Sequence, residues 1–395
     1  MEQKIIKIKD YLHERKEDFI QISHQIHQNP EIANEEYFAC QILSDTLKDA
    51  GFDVTVNVAG HETGFVARKA SAKPGPVIGI LAEYDALAGL GHGCGHNIIG
   101  TSSVAAGCAL AQIIDEVGGE VVVFGTPAEE GGDNGSAKGS FVREGLFKDV
   151  DVCMMIHPGS KTAVTAPSLA NHPIEFEFFG RPAHASGCPE KGINALDAMI
   201  VFYNAVNALR QQVTPDVRIH GIITHGGDAP NIIPEYTKAR FYVRANTIKT
   251  CEEVTERVIK AAEGAALSTG CTLKHTTYQN IVEDLIYYPK FNELFEEVAT
   301  KLGHQVEALD PRGSRGSTDA GNVSQVVPTI HPSLKICEPS VAGHTKEFKE
   351  AAISKQGDQA VLDSAEILAR ISLELLLDSQ KLKAIKEEFE LLKAE

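Results

Sequence analysis

Three short runs of consecutive apolar residues, each ending in acidic or histidine residues, limit the fold of this chain more than any other feature. They are PVIGILAEYD (76–85), EVVVFGTPAEE (120–130) and DVCMMIHP (151–158). Because their apolar residues are consecutive and do not alternate with polar ones, each strand is expected to be buried on both faces. A helical run rich in small residues, NIIGTSSVAAGCALAQII (97–114), lies between the first two. This pattern predicts an α/β fold with a mainly parallel sheet flanked by helices.

The rest of the chain indicates two domains. Up to about Gly51, apolar residues recur every three or four positions on either side of Asn29-Pro30, which predicts two helices. Residues 172–283 follow a different order of strand, helix, strand, strand, helix and strand, which is typical of a ferredoxin-like domain. The earlier alternation then resumes. We therefore predict a discontinuous larger domain, residues 1–171 and 284–395, with a smaller domain, residues 172–283, inserted into it.

The composition excludes several classes of partner. The chain has 395 residues, 54 acidic against 37 basic, and a net charge of -17, so it has no basic excess with which to bind nucleic acid. The same balance argues against a polybasic membrane contact, and no apolar run approaches the ~20 residues of a spanning helix. The eight cysteines are irregularly spaced and the N-terminus has no signal-peptide pattern. We therefore expect reduced thiols, a cytoplasmic location, and no binding to nucleic acid or membrane.

Polar side chains follow each of the three predicted strands. Glu83 and Asp85 follow the first, Glu129-Glu130 follow the second, and His157 follows the third. Because sites in open α/β sheets form at the carboxyl ends of the strands, we expect these side chains to lie close together. Each cluster alone is also compatible with a solvated loop, so the prediction depends on their coincidence.

The loop GLGHGCGHNIIG (89–100) adds a fourth cluster. It brings His92, Cys94 and His96 together among glycines, which allow tight folding of the backbone. Thiolate and imidazole are preferred ligands of zinc-like ions, and a following helix N-terminus would help to hold Cys94 as a thiolate. The alternative is a glycine-rich turn with incidental histidines.

Four donors of metal-binding type result from these clusters, namely Cys94, His96, Glu130 and His157. The set is not rich in cysteine, and mixed ligation with room for a water is typical of a catalytic metal site. Because Glu129 and Glu130 are adjacent, one would bind metal while the other would act on the water as a general base.

Six motifs, in this order along the chain, carry a resemblance to a known family: GHGCGHN, TPAEEGG, MMIHP, GRPAHAS, APNIIP and AGHTKEF. They make the chain similar to the dinuclear metal amidohydrolases of the aminoacylase and carboxypeptidase G group, metallopeptidase family twenty. It most resembles the branch with a cysteine ligand, which holds the indole-acetyl-amino-acid hydrolases, the hippurate hydrolases and one of the two subunits of p-aminobenzoyl-glutamate hydrolase. Many relatives have His-x-Asp where this chain has Glu83-Tyr84-Asp85, and the cysteine branch also lacks that histidine.

The resemblance implies two divalent metal ions per protomer. Cys94 would bridge them, His96 and His157 would complete one site, and Glu130 and His344 would complete the other. Sites of cysteine, histidine and glutamate suit zinc or manganese, with cobalt or nickel as alternatives.

The resemblance also implies roles around the metals. Glu129 would be the general base, and Asp85 would orient a metal-binding histidine. His184, on the inserted domain of the partner subunit, would stabilise the oxyanion, and Asn231 and Arg244 would hold a substrate carboxylate. The inserted domain would then be a lid and dimerisation domain, and the protein a homodimer.

These residues predict a metal-dependent amidohydrolase. Its small-molecule substrate would be an N-acyl amino acid, an aminobenzoyl-glutamate-like compound or a dipeptide with a free carboxylate, cleaved by a metal-activated water. One alternative is a catalytically inactive binding or regulatory homologue of the same fold. Another is a thiol enzyme in which Cys94 is the nucleophile.

Overall fold

The described chain, residues 1–308 and 316–394 of a computed structural model, divides into two units. The larger unit contains Met1–Pro167 and the chain that follows Leu285. The smaller unit contains Ser168–Asp284 together with a short segment that ends at Ser317. Within the described ranges, none of the helices has both the length and the apolar composition that crossing a bilayer requires.

Helices and strands alternate through much of the described chain. The helices are α1 (Glu2–Glu14), α2 (Lys16–Gln28), α3 (Tyr37–Asp49), α4 (His96–Ala111), α5 (Ile114–Val117), α6 (Ala137–Arg143), α7 (Ala195–Leu209), α8 (Ile248–Thr269), α9 (Pro289–Lys301), α10 (Ala320–Ser324), α11 (Lys346–Ala351), α12 (Lys355–Leu377) and α13 (Ser379–Ala394). The strands are β1 (Asp53–Val58), β2 (His61–Ala70), β3 (Val77–Ala82), β4 (Glu120–Gly125), β5 (Val152–Met154), β6 (His157–Gly159), β7 (Ala170–Phe179), β8 (Arg218–His225), β9 (Tyr236–Ala245), β10 (Thr272–Thr276), β11 (Thr329–Ile330) and β12 (Ser333–Lys335).

The main sheet of the larger unit has six strands in the order β1-β2-β4-β3-β5-β11. Strands β4, β3, β5 and β11 are parallel to one another, and β2 joins β4 in the antiparallel sense with β1 beyond it. The mixed α/β class and the mainly parallel sheet are therefore confirmed. The β1–β2 pair was not predicted, because β1 is largely exposed and has no continuous apolar run.

Helix α4 packs against β3, β4 and α12 in the centre of the larger unit. Every residue from His96 to Leu110 is buried. Small residues permit this close approach: a Cβ at Gly107 would lie 2.8 Å from Val123, and one at Gly100 would lie 2.8 Å from the carbonyl oxygen of Glu83. This packing fixes the N-terminus of α4, and therefore His96, against the ends of the parallel strands.

Two local features differ from the sequence-based expectation. The first fifty residues form three helices, because α1 ends and α2 begins on either side of Arg15, and α3 follows a loop. The third apolar run divides into β5 and β6, and β6 pairs with β12 in a separate parallel sheet of two strands. Pro158 lies within β6 and has no N–H to donate, which suits a short edge pairing better than a central strand.

The smaller unit has the predicted ferredoxin-like order of elements. Its four strands form one antiparallel sheet in the order β10-β7-β9-β8, and α7 and α8 pack together against it. Its core includes Phe176, Phe178, Phe202 and Phe241. The side chain of Asn194 accepts the backbone N–H of Leu196 at 2.9 Å and so caps the start of α7.

Candidate metal centre

Five metal-binding side chains come together in the larger unit. His96 is the first residue of α4, Cys94 lies two residues earlier, and Glu130 follows β4. His157 begins β6, and His344 precedes α11 in a left-handed backbone conformation with φ of 63°. The strand ends and the glycine-rich loop therefore lie together, as the topology of a parallel sheet requires.

The donor atoms form two sets that share Cys94. One ligand atom from each of Cys94, His96 and His157 lies within 4.8 Å of the others, and the same holds for Cys94, Glu130 and His344. In the first set, Cys94 Sγ is 3.6 Å from His157 Nε2. In the second, His344 Nε2 is 3.4 Å from Glu130 Oε1. A donor common to two such sets is the arrangement that a bridging ligand needs.

The hydrogen bonds of the two buried histidines leave Nε2 as the free nitrogen of each ring. His96 Nδ1 donates to Asp85 Oδ1 at 2.9 Å, and His157 Nδ1 donates to the carbonyl oxygen of Pro158 at 2.7 Å. Such bonds fix the tautomer that presents Nε2 to a metal ion. Among the described residues, His96 Nε2 and Glu130 Oε1 are buried with no hydrogen-bond partner. These unsatisfied donor atoms fit divalent cations.

Asp85 fixes two parts of the centre at once. While Oδ1 accepts from His96, Oδ2 accepts the backbone N–H of Glu130 at 2.9 Å. Asn97, the residue after His96, donates to Ser23 Oγ and to the carbonyl oxygen of Ala352, and so takes part in helix packing. Asp85 is therefore the carboxylate that orients His96.

The electrostatics of the donor set also call for cations. Burial raises the pKa of the Cys94 thiol well above its usual range, so a neighbouring positive charge is needed to hold it as a thiolate. Burial acts to lower the pKa of His96, but the adjacent Asp85 and Cys94 raise it well above its usual value. The hydrogen bond to Glu130 raises the pKa of His344. Negative groups therefore dominate this part of the molecule.

Glu129 lies between the metal-binding set and a group of buried carboxylates. Its carboxylate is within 4.8 Å of ligand atoms of His96 and Glu130, and also of those of Glu83 and Asp319. Burial and the negative charges of Glu83 and Glu130 raise its pKa well above the usual value. A carboxylate with a raised pKa beside a metal site has the property that a general base needs.

The backbone just before Glu129 is held in an unusual conformation. Ala128 has φ of 55°, in the left-handed region that residues with a Cβ seldom adopt. Its N–H donates to Glu36 Oε1 at 3.1 Å, and its carbonyl oxygen accepts from the backbone N–H of Ser136 at 2.7 Å. Glu36 Oε2 also accepts from Thr63 Oγ1 at 2.9 Å. Glu36 therefore ties the loop that carries Glu129 to the N-terminal part of the unit.

Comparison with known proteins assigns the smaller unit first. The peptidase dimerisation domain of the M20 family matches residues 173–269. A solved dinuclear metal binding peptidase from the M20 family of Bacillus subtilis has the same fold, with a TM-score of 0.63 and 19% identity, over 90% of this chain and 98% of that chain.

A relative from Homo sapiens named Xaa-Arg dipeptidase is 34% identical over 388 residues, which are 94% of this chain and 88% of that protein. The chain belongs to the M20 peptidase family. This M20 peptidase is also 36% identical to a p-aminobenzoyl-glutamate hydrolase chain of Escherichia coli over 288 residues, 68% of this chain and 59% of that protein. It is accordingly a hydrolase that acts on amide or peptide bonds, with a metal-dependent mode of action.

The other predicted residues lie on the smaller unit of the M20 peptidase. His184 is exposed, and its Nδ1 accepts the backbone N–H groups of Ser186 at 3.3 Å and Gly187 at 3.1 Å. The neutral ring therefore carries its proton on Nε2, which is free to donate. The carbonyl oxygen of Asn231 accepts the backbone N–H of Ala185 at 3.0 Å, so the loops that carry His184 and Asn231 are paired.

Arg244 lies on β9 of the same unit. Its Nη1 donates to Ser317 Oγ at 3.4 Å, and its guanidinium lies 5.3 Å from the centre of the Tyr242 ring. These contacts restrict the orientation of the side chain. Residues that bind metal in the prediction thus belong to the larger unit, and residues that bind substrate belong to the smaller one.

Several residues of this M20 peptidase centre were not assigned a role from the sequence. Lys138, at the start of α6, bonds to Glu83 and Asp319, and His331 has its ring 5.4 Å from that of His157. The sequence signal for Lys138 was a charged residue in the run SAKGSF of small and apolar residues, and Asp319 lies in the motif-like segment GSTDAGN. His92 is buried and stacks on His27 with ring centres 5.9 Å apart.

Proposed function

We propose that this M20 peptidase hydrolyses the amide bond of a dipeptide or an N-acyl amino acid, including aminobenzoyl-glutamate-like compounds, that ends in a free carboxylate. The names of the human and Escherichia coli relatives both describe small amides of an amino acid. The observation that carries the proposal is the pair of three-donor sets that share Cys94, with Glu129 beside them. That arrangement is suited to activating a water at a carbonyl group.

Cys94, His96 and His157 would hold one divalent ion, and Cys94, Glu130 and His344 would hold the other. Zinc and manganese suit these donors best, with cobalt or nickel as alternatives. Such a pair of ions, when bound, lowers the pKa of a shared water and polarises the carbonyl of the substrate.

Glu129 would act as the general base. It is placed beside the donor sets without being needed to complete either of them. Its raised pKa lets it take a proton from the attacking water and then pass that proton to the departing amine nitrogen. Asp85 would keep His96 in the required tautomer while it holds the backbone of Glu130.

His184 would stabilise the oxyanion, contributed by the partner subunit. The two backbone N–H groups that donate to Nδ1 leave an N–H on Nε2, which is the donor that an oxyanion requires. A homodimer formed through the smaller unit is part of this proposal. Its support is the apolar surface of the unit, where Ile222 and Ile223 on edge strand β8 and Ile200 and Val201 on α7 are exposed.

Asn231 and Arg244 would hold the terminal carboxylate of the substrate, since a guanidinium with restricted orientation suits a carboxylate. The larger domain, residues 1–171 and 284–395, would be catalytic, and residues 172–283 would form the lid and dimerisation domain. The eight cysteines are all free thiols within the described chain, which favours a reducing, cytoplasmic compartment.

The central experiment compares Glu129→Gln with Glu130→Gln. We expect Glu129→Gln to keep its metal and lose about a hundredfold or more in kcat, because the base is gone, whereas Glu130→Gln should lose metal as well. Amine release from dipeptides, N-acyl amino acids and aminobenzoyl-glutamate is the assay, and elemental analysis counts the metal. Full turnover by Glu129→Gln would disprove the role of Glu129.

The same assay separates the alternatives. A binding or regulatory homologue would release no amine from any substrate even when loaded with zinc or manganese. A thiol enzyme with Cys94 as nucleophile would keep its activity in a chelator and lose it to a thiol alkylator. We expect the chelator to abolish activity and added zinc or manganese to restore it.

A further inference from the structure

A lysine ammonium is enclosed beside the metal centre of the larger unit. Lys138 and Asp319 are 0% exposed and Glu83 is 1% exposed. Lys138 Nζ donates to Glu83 Oε1 at 2.6 Å and to Asp319 Oδ1 at 2.6 Å, and the backbone N–H of Lys138 donates to Asp319 Oδ2 at 3.1 Å. A buried charge held at this depth needs opposite charges around it, and both carboxylates are supplied.

The carboxylates around this ammonium have the geometry of a cation site. Oxygen atoms of Glu83, Glu129 and Asp319 lie within 4.8 Å of one another. Three carboxylates at such distances attract divalent ions, whose preferred ligands are oxygens. The position that such an ion would take next to Glu83 and Asp319 is already served by the nitrogen of Lys138.

Glu83 connects the ammonium to the metal-binding donors. Its Oε1 accepts from Lys138, while its Oε2 lies 3.5 Å from His96 Nε2. Within the part of the chain that the structure describes, Oε2 is buried and has no hydrogen-bond partner. The chain therefore has a continuous row of groups from Asp319 through Lys138 and Glu83 to His96.

We propose that Lys138 is a positioning residue whose ammonium takes the place of a third cation beside the dinuclear centre, fixing Glu83 and Asp319 and keeping Glu129 free of a metal ion. The inference deepens the proposed function and rests on it for the role of Glu129. A single covalently attached charge balances the buried carboxylates, whereas a divalent ion at this position would bind Glu129 and remove its basicity.

The test is a count of metal ions in Lys138→Met, which removes the charge but keeps an unbranched side chain of similar length. After equilibration with Mn²⁺ and removal of the excess, we expect about two ions per chain in the unaltered protein and about three in the variant. The exposed Lys148, changed to Met, is the matched control and should leave the count at two. In Lys138→Met we also expect kcat to fall by about tenfold or more with little change in KM, because Glu129 would be occupied.

A second change locates the additional ion. Adding Glu83→Gln to Lys138→Met removes one carboxylate and should return the count to two. If Lys138→Met is unstable without metal, Mn²⁺ should raise its Tm more than it raises that of the Lys148→Met control. A Lys138→Met protein that keeps two ions, with no additional gain of Tm in Mn²⁺, would overturn the proposal.

The metal count needs no substrate, so it is independent of the proposed function. An unaltered protein that binds two ions but cleaves no amide would count against the proposed function alone. A third ion in Lys138→Met would still support the place assigned to the ammonium.

Discussion

Asp85 Oδ1 accepts the Nδ1 proton of His96 at 2.9 Å, deep in the larger unit. The pair fixes which ring nitrogen faces the metal position. We expect Asp85→Asn to weaken metal binding by about 10- to 100-fold, because an amide can present its NH₂ to Nδ1 and so favour the wrong tautomer. Competition with a fluorescent chelator measures the affinity. His24 and Asp358 form a similar pair at 2.6 Å away from the donor sets, so Asp358→Asn should leave the affinity unchanged.

Cys94 belongs to both donor sets, whereas His344 belongs to one. We therefore expect Cys94→Ala to lose both ions and His344→Ala to lose one, as counted by elemental analysis after dialysis. Cys108→Ala, which alters a buried thiol elsewhere in α4, is the control. Retention of one tightly bound ion by Cys94→Ala would contradict a shared sulfur ligand.

Burial raises the pKa of Glu36 to about 7, with a further contribution from the charge of Asp85. Because the folded-state pKa lies above the usual value, the folded protein favours the protonated carboxyl, and this stabilisation is lost as the pH rises through about 7. Glu36→Gln resembles the protonated form at every pH. The variant should match the unaltered protein at low pH and exceed its free energy of unfolding by on the order of 3 kcal/mol at alkaline pH.

Urea denaturation at pH 5 and at pH 8 measures this difference, with about 1.4 kcal/mol expected for each unit of pKa shift. The exposed neighbour Glu35, changed to Gln, should show the same stability as the unaltered protein at both pH values. An equal effect of Glu36→Gln at the two pH values would show that the carboxyl does not titrate in this range.

The predicted action of His184 in the partner's active site can be tested by mixing inactive proteins. We expect His184→Ala to lose about a hundredfold or more in kcat, because the oxyanion loses a donor. When His184→Ala and Glu129→Gln are unfolded and refolded together, random pairing makes half of the dimers mixed, each with one complete site. About a quarter of the full activity should return. No recovery above that of the separate variants would place His184 in the site of its own protomer.

The exposed apolar residues of β8 offer a test of the dimer. Ile222 is 66% exposed on this edge strand, and we expect Ile222→Lys to shift the protein toward the monomer in gel filtration. Activity should fall with the dimer fraction. Leu267 is 87% exposed on α8, so Leu267→Lys should remain dimeric if the surface of β8 and α7 is the interface.

The convergence of Glu83, Asp85, Glu129 and His157 could be predicted because the carboxyl ends of parallel strands meet at one edge of a sheet. His344 needed the family resemblance, since its loop lies far along the chain and only tertiary packing brings it to Glu130. The partner of Lys138 could not be found from spacing, because Asp319 is 181 residues away. β1 was missed for a different reason: its pairing with β2 leaves it exposed, so it lacks the apolar signal by which buried strands are recognised.

The left-handed backbone of Ala128 has a consequence for the timing of catalysis. Few backbone states are open to a residue with a Cβ, and Glu36 and Ser136 hold this one by hydrogen bonds to both sides of the residue. The neighbouring Glu129 is thus set in place during folding and does not need to be recruited when a substrate arrives. The ordering entropy of the proton acceptor is spent once per protein molecule and not once per turnover.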